Sequence, residues 1–150
     1  MQESANLLAD AQREQESGNL DAAAALYRQI LQEDATQVEA LYHLGTLELQ
    51  RSNIRLGTEM LEATAALVPE ISQVHNNLGI AYKMAGRYTE ASAAFERALQ
   101  LDPEQSATYF NLADLAAELK QFDAAVSLYR QSLRFAPREA GTWLKLGELL

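Results

Sequence analysis

Residues 72–105 read SQVHNNLGIAYKMAGRYTEASAAFERALQLDPEQ. Two amphipathic helical patterns lie in this stretch, broken at Gly86. In the first, His75, Leu78, Tyr82 and Ala85 recur at spacings of three and four, which puts them on one helix face. In the second, Tyr88, Ala91, Phe95, Ala98 and Leu99 do the same. Asp102-Pro103 stops the second pattern, because proline has no N–H to donate and disfavours helix in the residue before it.

The stretch recurs along the chain. Gly45 in ALYHLGTLEL and Gly79 in HNNLGIAY are 34 residues apart, and Gly147 in WLKLG lies two further periods on. Ala11 and Ala113 fill the corresponding small-residue slots, and Pro69, Pro103 and Pro137 keep the same interval. Each period is one helix–turn–helix unit. The units run over 4–37, 38–71, 72–105 and 106–139, and a truncated fifth occupies 140–150. They form a single array in which each unit packs on its neighbours.

The order His75, Leu78, Gly79, Tyr82, then Ala91, Phe95, then Pro103 resembles the tetratricopeptide repeat (TPR) pattern W-x2-L-G-x2-Y, A-x3-F, P, with only the first aromatic replaced. The resemblance covers the whole chain. It implies an all-α fold, a right-handed superhelical solenoid of antiparallel helix pairs, in which the first helix of each pair lines a concave groove that binds proteins or peptides.

Within the units, Gly45 and Gly57 take the slots where paired helices should approach most closely. The turns fall at Gly18-Asn19, Ser52-Asn53, Gly86 and Lys120-Gln121. Tyr88 and Phe122 are expected to line the second helices of their units. The last helix carries Trp143, Leu146, Leu149 and Leu150 with no second helix to cover them. The chain is therefore expected to be a fragment of a longer protein, and 140–150 is a candidate face for docking a second copy as a homodimer.

The formal net charge of −9 argues against nucleic acid and anionic membrane as general partners, since both call for a cationic face. There is no cysteine, so disulfide and thiolate chemistry are excluded. The N-terminal segment has neither a basic stretch nor an apolar core, and a cytoplasmic location is expected.

Nothing in the pattern points to catalysis, a metal or a cofactor. The two histidines, His43 and His75, sit in different slots of different units, without the four-residue pairing of a zinc helix. There is no glycine-rich phosphate loop and no G-x-S-x-G. The chain is not expected to be an enzyme by itself.

Binding is the better reading. The resemblance implies that the groove-facing slots are the second, fifth, sixth, ninth and twelfth to thirteenth of each unit. The sixth holds Ala9, His43, Asn77, Asn111 and Lys145. Asn77 and Asn111 are one period apart, so stacking should set them side by side. This resembles the arm of O-linked N-acetylglucosamine transferase, in which a ladder of asparagines in that slot bonds the backbone of an extended peptide. The resemblance implies a larger glycosyltransferase as the parent. An asparagine amide offers donors and an acceptor, so it matches a peptide unit without reading its side chain. Two asparagines on an ordinary solvated helix face explain the sequence slightly more simply, and His43 reads more simply as a solvated surface histidine than as a further rung.

The second and fifth slots hold Tyr42, Asn76 and Phe110 but no cation, so the carboxylate clamp of TPR cochaperones is absent. Tyr42 and Phe110 either offer apolar anchors in the groove or pack on the adjacent unit. Acidic groups such as Asp114 outnumber the lysines there, so the expected ligand is neutral or basic.

Overall fold

The computed structural model describes residues 2–150, with side chains from Ala5 onward. Among the described residues there are nine helices and no strand. They are α1 (Gln2–Glu16), α2 (Leu20–Glu33), α3 (Val38–Gln50), α4 (Ile54–Leu67), α5 (Ser72–Met84), α6 (Tyr88–Leu101), α7 (Ser106–Glu118), α8 (Phe122–Phe135) and α9 (Ala140–Leu149). The chain forms two compact units. One, up to Pro69, holds α1–α4; the other, from Glu70 on, holds α5–α9.

Every hairpin turns in the same way. Gly18, Ser52, Gly86 and Lys120 are one period apart, and all four adopt a left-handed backbone, with φ of 81, 64, 73 and 60°. Beyond each, an N–H returns to a carbonyl five residues back: Asn19 to Glu14 at 2.9 Å, Asn53 to Glu48 at 2.8 Å, Arg87 to Tyr82 at 2.9 Å and Gln121 to Ala116 at 2.8 Å. These bonds satisfy carbonyls that the helix end leaves bare. Glycine takes the left-handed slot at two turns; serine and lysine tolerate it at the other two.

Small residues set the spacing within each pair. A Cβ on Gly57 would stand 2.9 Å from the carbonyl oxygen of Gly45, so α3 and α4 touch backbone to backbone. In the next pair the neighbour is an aromatic ring: a Cβ on Gly79 would meet Phe95 at 2.6 Å. In the pair α7–α8, Ala113 and Ala125 are both wholly buried.

The first unit's core gathers Ala11, Ala23, Tyr27, Ile30, Leu44 and Leu47 from α1, α2 and α3. In the second unit Phe95 packs with Ala91 and Leu115, while Tyr129 packs with Ala113, Ala125 and Leu146. Burying one such large side chain contributes on the order of 2–3 kcal/mol.

The apolar pattern overreaches in three places. Tyr88 and Phe122, expected inside, are 40 and 50 % exposed. Each is the first residue of its helix, at the rim of the hairpin beside the turn. Ala85 is exposed because it is the residue on which α5 ends. Leu146, expected bare, is buried against α8 residues, whereas Trp143, Leu144 and Leu150 remain exposed.

Candidate functional site

In the second unit the first helices of successive pairs, α5 and α7, are joined by side-chain amides. Asn111 Nδ2 donates to Asn76 Oδ1 at 3.0 Å. Asn76 Nδ2 in turn lies 3.4 Å from Asn77 Oδ1, which also faces Gln73 Nε2 at 3.4 Å. Asn76, Asn77 and Asn111 thus form one line of amides crossing from α5 to α7. Asn76 is the buried link at 3 % exposure, while Asn77 and Asn111 are half-buried.

The line continues inward. The Thr108 hydroxyl is 3.0 Å from Asn76 Oδ1 and also pairs with Gln105 Oε1. Gln105 Nε2 donates to Gln73 Oε1 at 3.4 Å. Ser72 anchors the same corner by donating to the Ala98 carbonyl at 2.9 Å. The sequence pattern marks the asparagines and puts Gln73 in the second groove slot, but does not mark Gln105 and Thr108. Their signal was weak, because polar residues in the first turn of a helix are ordinary.

Phe110 lies beside this line, half-buried, its ring 5.7 Å from that of Tyr129 and tilted by 58°. It therefore packs within its own helix pair while still lining the surface. Asp114, one turn on, accepts a hydrogen bond from the Tyr129 hydroxyl. Burial pushes the Tyr129 phenol well above its ordinary value, and the bond to Asp114 and the charges of Asp114, Glu148 and Glu118 add to this. Lys83 on α5 bridges to Glu118 on α7 at 2.9 Å. Lys145 on α9 is exposed and shares an open cavity of about 260 Å³ with Asp114, Glu118, Tyr129 and Glu148. Carboxylates dominate that end of the surface.

In the first unit His43 is not a solvated surface residue. Its ring stacks on Tyr27 at 5.7 Å and 9°, and meets Tyr42 edge-on at 5.4 Å. Gln12 Nε2 lies 3.4 Å from His43 Nε2. Burial lowers the His43 pKa from 6.5, opposed by the charge of Glu39, and favours the neutral ring. Tyr42 is half-buried and engaged with this stack.

The buried carboxylate of the first unit is not marked by the sequence pattern. Glu48 is wholly buried, yet its carboxylate accepts from Arg28 at 2.5 Å, Arg51 at 3.1 Å and Asn53 at 2.5 Å. Nothing in one sequence separates it from a surface glutamate, except that its slot holds Tyr82 one period later. Among the described residues no group of histidine, aspartate and glutamate side chains is arranged to hold a metal. No helix there is long and apolar enough to cross a membrane.

Helical hairpins repeated at one interval, with polar residues lined up on their first helices, define a helical-repeat protein. Two tetratricopeptide repeat models match, over residues 8–54 and 70–138. The chain belongs to the tetratricopeptide repeat family. Part of it is 31 % identical over 81 residues to "Probable UDP-N-acetylglucosamine--peptide N-acetylglucosaminyltransferase SPINDLY" of Solanum lycopersicum, and 35 % identical over 82 residues to the protein of that name from Petunia hybrida. Each match takes in 54 % of this chain but only 9 % of the relative, so the likeness is to a repeat segment of those proteins. The fold is also that of solved structures. MamA superposes over 99 % of this chain and 82 % of its own, with a TM-score of 0.87 at 22 % identity. PilF of Pseudomonas aeruginosa superposes over 98 % of this chain and 67 % of its own, with a TM-score of 0.88 at 23 % identity.

Proposed function

We propose that the surface carried by α5, α7 and α9 binds an extended protein segment, with Asn77 and Asn111 bonding its backbone and Phe110 offering an apolar contact. TPR arrays are in general protein-interaction scaffolds, and this reading says where and how. The observation that carries it is the continuous line of amides Asn77–Asn76–Asn111 across two helices. Groups already held in line need little reordering to exchange a bond with one another for a bond to a peptide. Taken by itself, the first unit carries Tyr42 and His43 in the equivalent slots of α3. The carboxylates beside Lys145 favour a neutral or basic segment.

The match to two proteins named as probable glycosyltransferases supports a further step: the chain serves as the recognition part of such an enzyme, and catalysis lies outside it. Fold alone does not fix this.

A peptide library screened against wild type and the Asn77→Ala/Asn111→Ala double variant tests the reading. Each lost hydrogen bond should cost about 1 kcal/mol, so selected peptides should bind the double variant roughly 30-fold more weakly. Equal binding by both proteins would remove the amide line from recognition.

One observation favours a second use. Trp143 and Leu144 are adjacent on α9 and 55 and 66 % exposed. Self-association through this helix would appear as concentration-dependent sedimentation, abolished by Leu144→Glu. A monomer at every concentration would dismiss it.

A further inference from the structure

The slots that carry the polar network between α5 and α7 hold different residues one period later, between α7 and α9. Asn76 gives way to Phe110, Gln105 to Glu139 and Ala107 to Gly141, while Thr108 is matched by Thr142. Thr108 finds its partners in Asn76 and Gln105. Phe110 offers no such acceptor, and Gly141 lacks the methyl group that Ala107 supplies.

The outcome is an open cavity of about 210 Å³, lined mainly by apolar groups, with Phe110 and Gly141 on its walls and Glu139, Asn111 and Thr142 around them. Thr142 is wholly buried, and its hydroxyl has no hydrogen-bond partner. Other buried threonines escape this by bonding back along their helix, as Thr58 does to the Ile54 carbonyl and Thr64 to that of Met60. Thr142 is the third residue of α9, so no helical carbonyl stands four residues behind it. A buried polar atom left unmatched is rare enough in folded proteins to call for an occupant.

We propose that this cavity receives an arginine side chain of the bound segment. The inference rests on the groove reading above and adds to it the residue type that is recognised. The cavity falls below the ~300 Å³ from which small-molecule sites begin, which suits one side chain better than a cofactor. The Phe110 ring offers a face on which a guanidinium stacks. Glu139 Oε1 lies 3.9 Å from where a Gly141 Cβ would stand, which puts a carboxylate on the cavity lining beside Gly141. Asp114, Glu118 and Glu148 line the neighbouring cavity of the same unit with Lys145, and Glu118 is also bridged by Lys83. The Thr142 hydroxyl accepts one guanidinium N–H, and the Glu139 carboxylate accepts another. A planar group with several fixed donors meets both at once, which a single ammonium or an apolar tip does not.

The test is a chemical-shift titration of the 15N-labelled chain with Nα-acetyl-arginine amide. Nα-acetyl-citrulline amide, the same shape without the charge, is the control. The backbone amides of Gly141 and Thr142 should move with arginine, and citrulline should bind at least tenfold more weakly. Gly141→Ala, Glu139→Gln and Thr142→Val should each weaken binding at least fivefold. All three retain the fold, because alanine, glutamine and valine already stand in those slots at Ala107, Gln105 and Val74. Asn77→Ala, outside the cavity, should bind the amide like wild type even where it loses peptides. The cavity and the amide line therefore fail separately. Equal response to arginine and citrulline, unmoved Gly141 and Thr142 signals, or full binding by Gly141→Ala would each overturn the assignment.

Discussion

Arg28 Nη2 stands 2.5 Å from Oε1 of Glu48, twenty residues away, on a carboxylate whose side chain has no exposure at all. Arg51 completes the arrangement, holding Glu48 at 3.1 Å with one nitrogen and Asp21 at 2.7 Å with another. Asn53, at the turn between α3 and α4, donates to the other oxygen of Glu48. The network ties α2, α3 and that turn together. Removing a partner from a fully buried pair costs roughly 3–5 kcal/mol. Arg28 is about half exposed and can return to water. Glu48→Ala should therefore destabilise the protein by about 2 kcal/mol, and Glu48→Gln by less, read from the urea midpoint. A midpoint unchanged in Glu48→Ala would make the network incidental.

The four left-handed turn residues give an opposed pair of expectations. A side chain in that conformation costs roughly 1–2 kcal/mol. Ser52→Gly and Lys120→Gly should each stabilise by about 0.5–1 kcal/mol, since only part of that strain is recovered once the extra freedom of an unfolded glycine is counted. Gly86→Ala, at φ 73° with open space around it, should destabilise by about 1 kcal/mol through strain alone. Thermal unfolding of the three variants decides the matter.

Gly79 and Gly147 share a slot but not a neighbourhood. A Cβ on Gly79 would stand 2.6 Å from the wholly buried Phe95 ring, whereas one on Gly147 meets nothing within 4 Å. Gly79→Ala should cost about 2–3 kcal/mol by overpacking. Gly147→Ala should be neutral or gain up to about 1 kcal/mol from helix propensity. Equal effects would mean that α5 and α6 are not as close as described.

These contrasts show how far the sequence could be read. The period of 34 placed the hairpins, their turns and the small residues between paired helices, because backbone geometry repeats with the slot. The period also puts Asn77 and Asn111 in equivalent slots, but the amide that Asn111 bonds is that of Asn76, in the neighbouring slot. What the slot does not carry is the neighbour. Gly45 faces a backbone and Gly79 a ring, although they are one period apart. His43 stacks on a tyrosine because α2 happens to supply Tyr27. Glu48 is buried because Arg28 and Arg51 converge on it from different elements. Thr142 lacks the asparagine acceptor that Thr108 has, because Phe110 stands in that slot on another helix.

Titration reports on three buried or half-buried rings, Tyr27, Tyr129 and His43. Burial, helped by the charge of Glu16, pushes the Tyr27 hydroxyl up to about 12, and Tyr129 is raised further still. A raised tyrosine leaves stability intact below pH 10 and removes it as pH climbs, because the unfolded phenol ionises first. Ultraviolet titration should show Tyr27 and Tyr129 ionising late, together with loss of helix. His43 works in the other direction. Its lowered pKa means that the unfolded chain takes up the proton first, so stability present above pH 6.5 is lost as pH falls below it. His43→Gln should flatten that acid limb, as followed by urea unfolding at a series of pH values.

The most direct measurement follows the side-chain amide resonances of Asn77 and Asn111 while a library-selected extended peptide is titrated into the labelled protein. Both pairs of signals should move together, saturating at the same peptide concentration as the change at Phe110. Signals that stay fixed while resonances of α6 or α8 shift would contradict recognition by the first helices of the repeats.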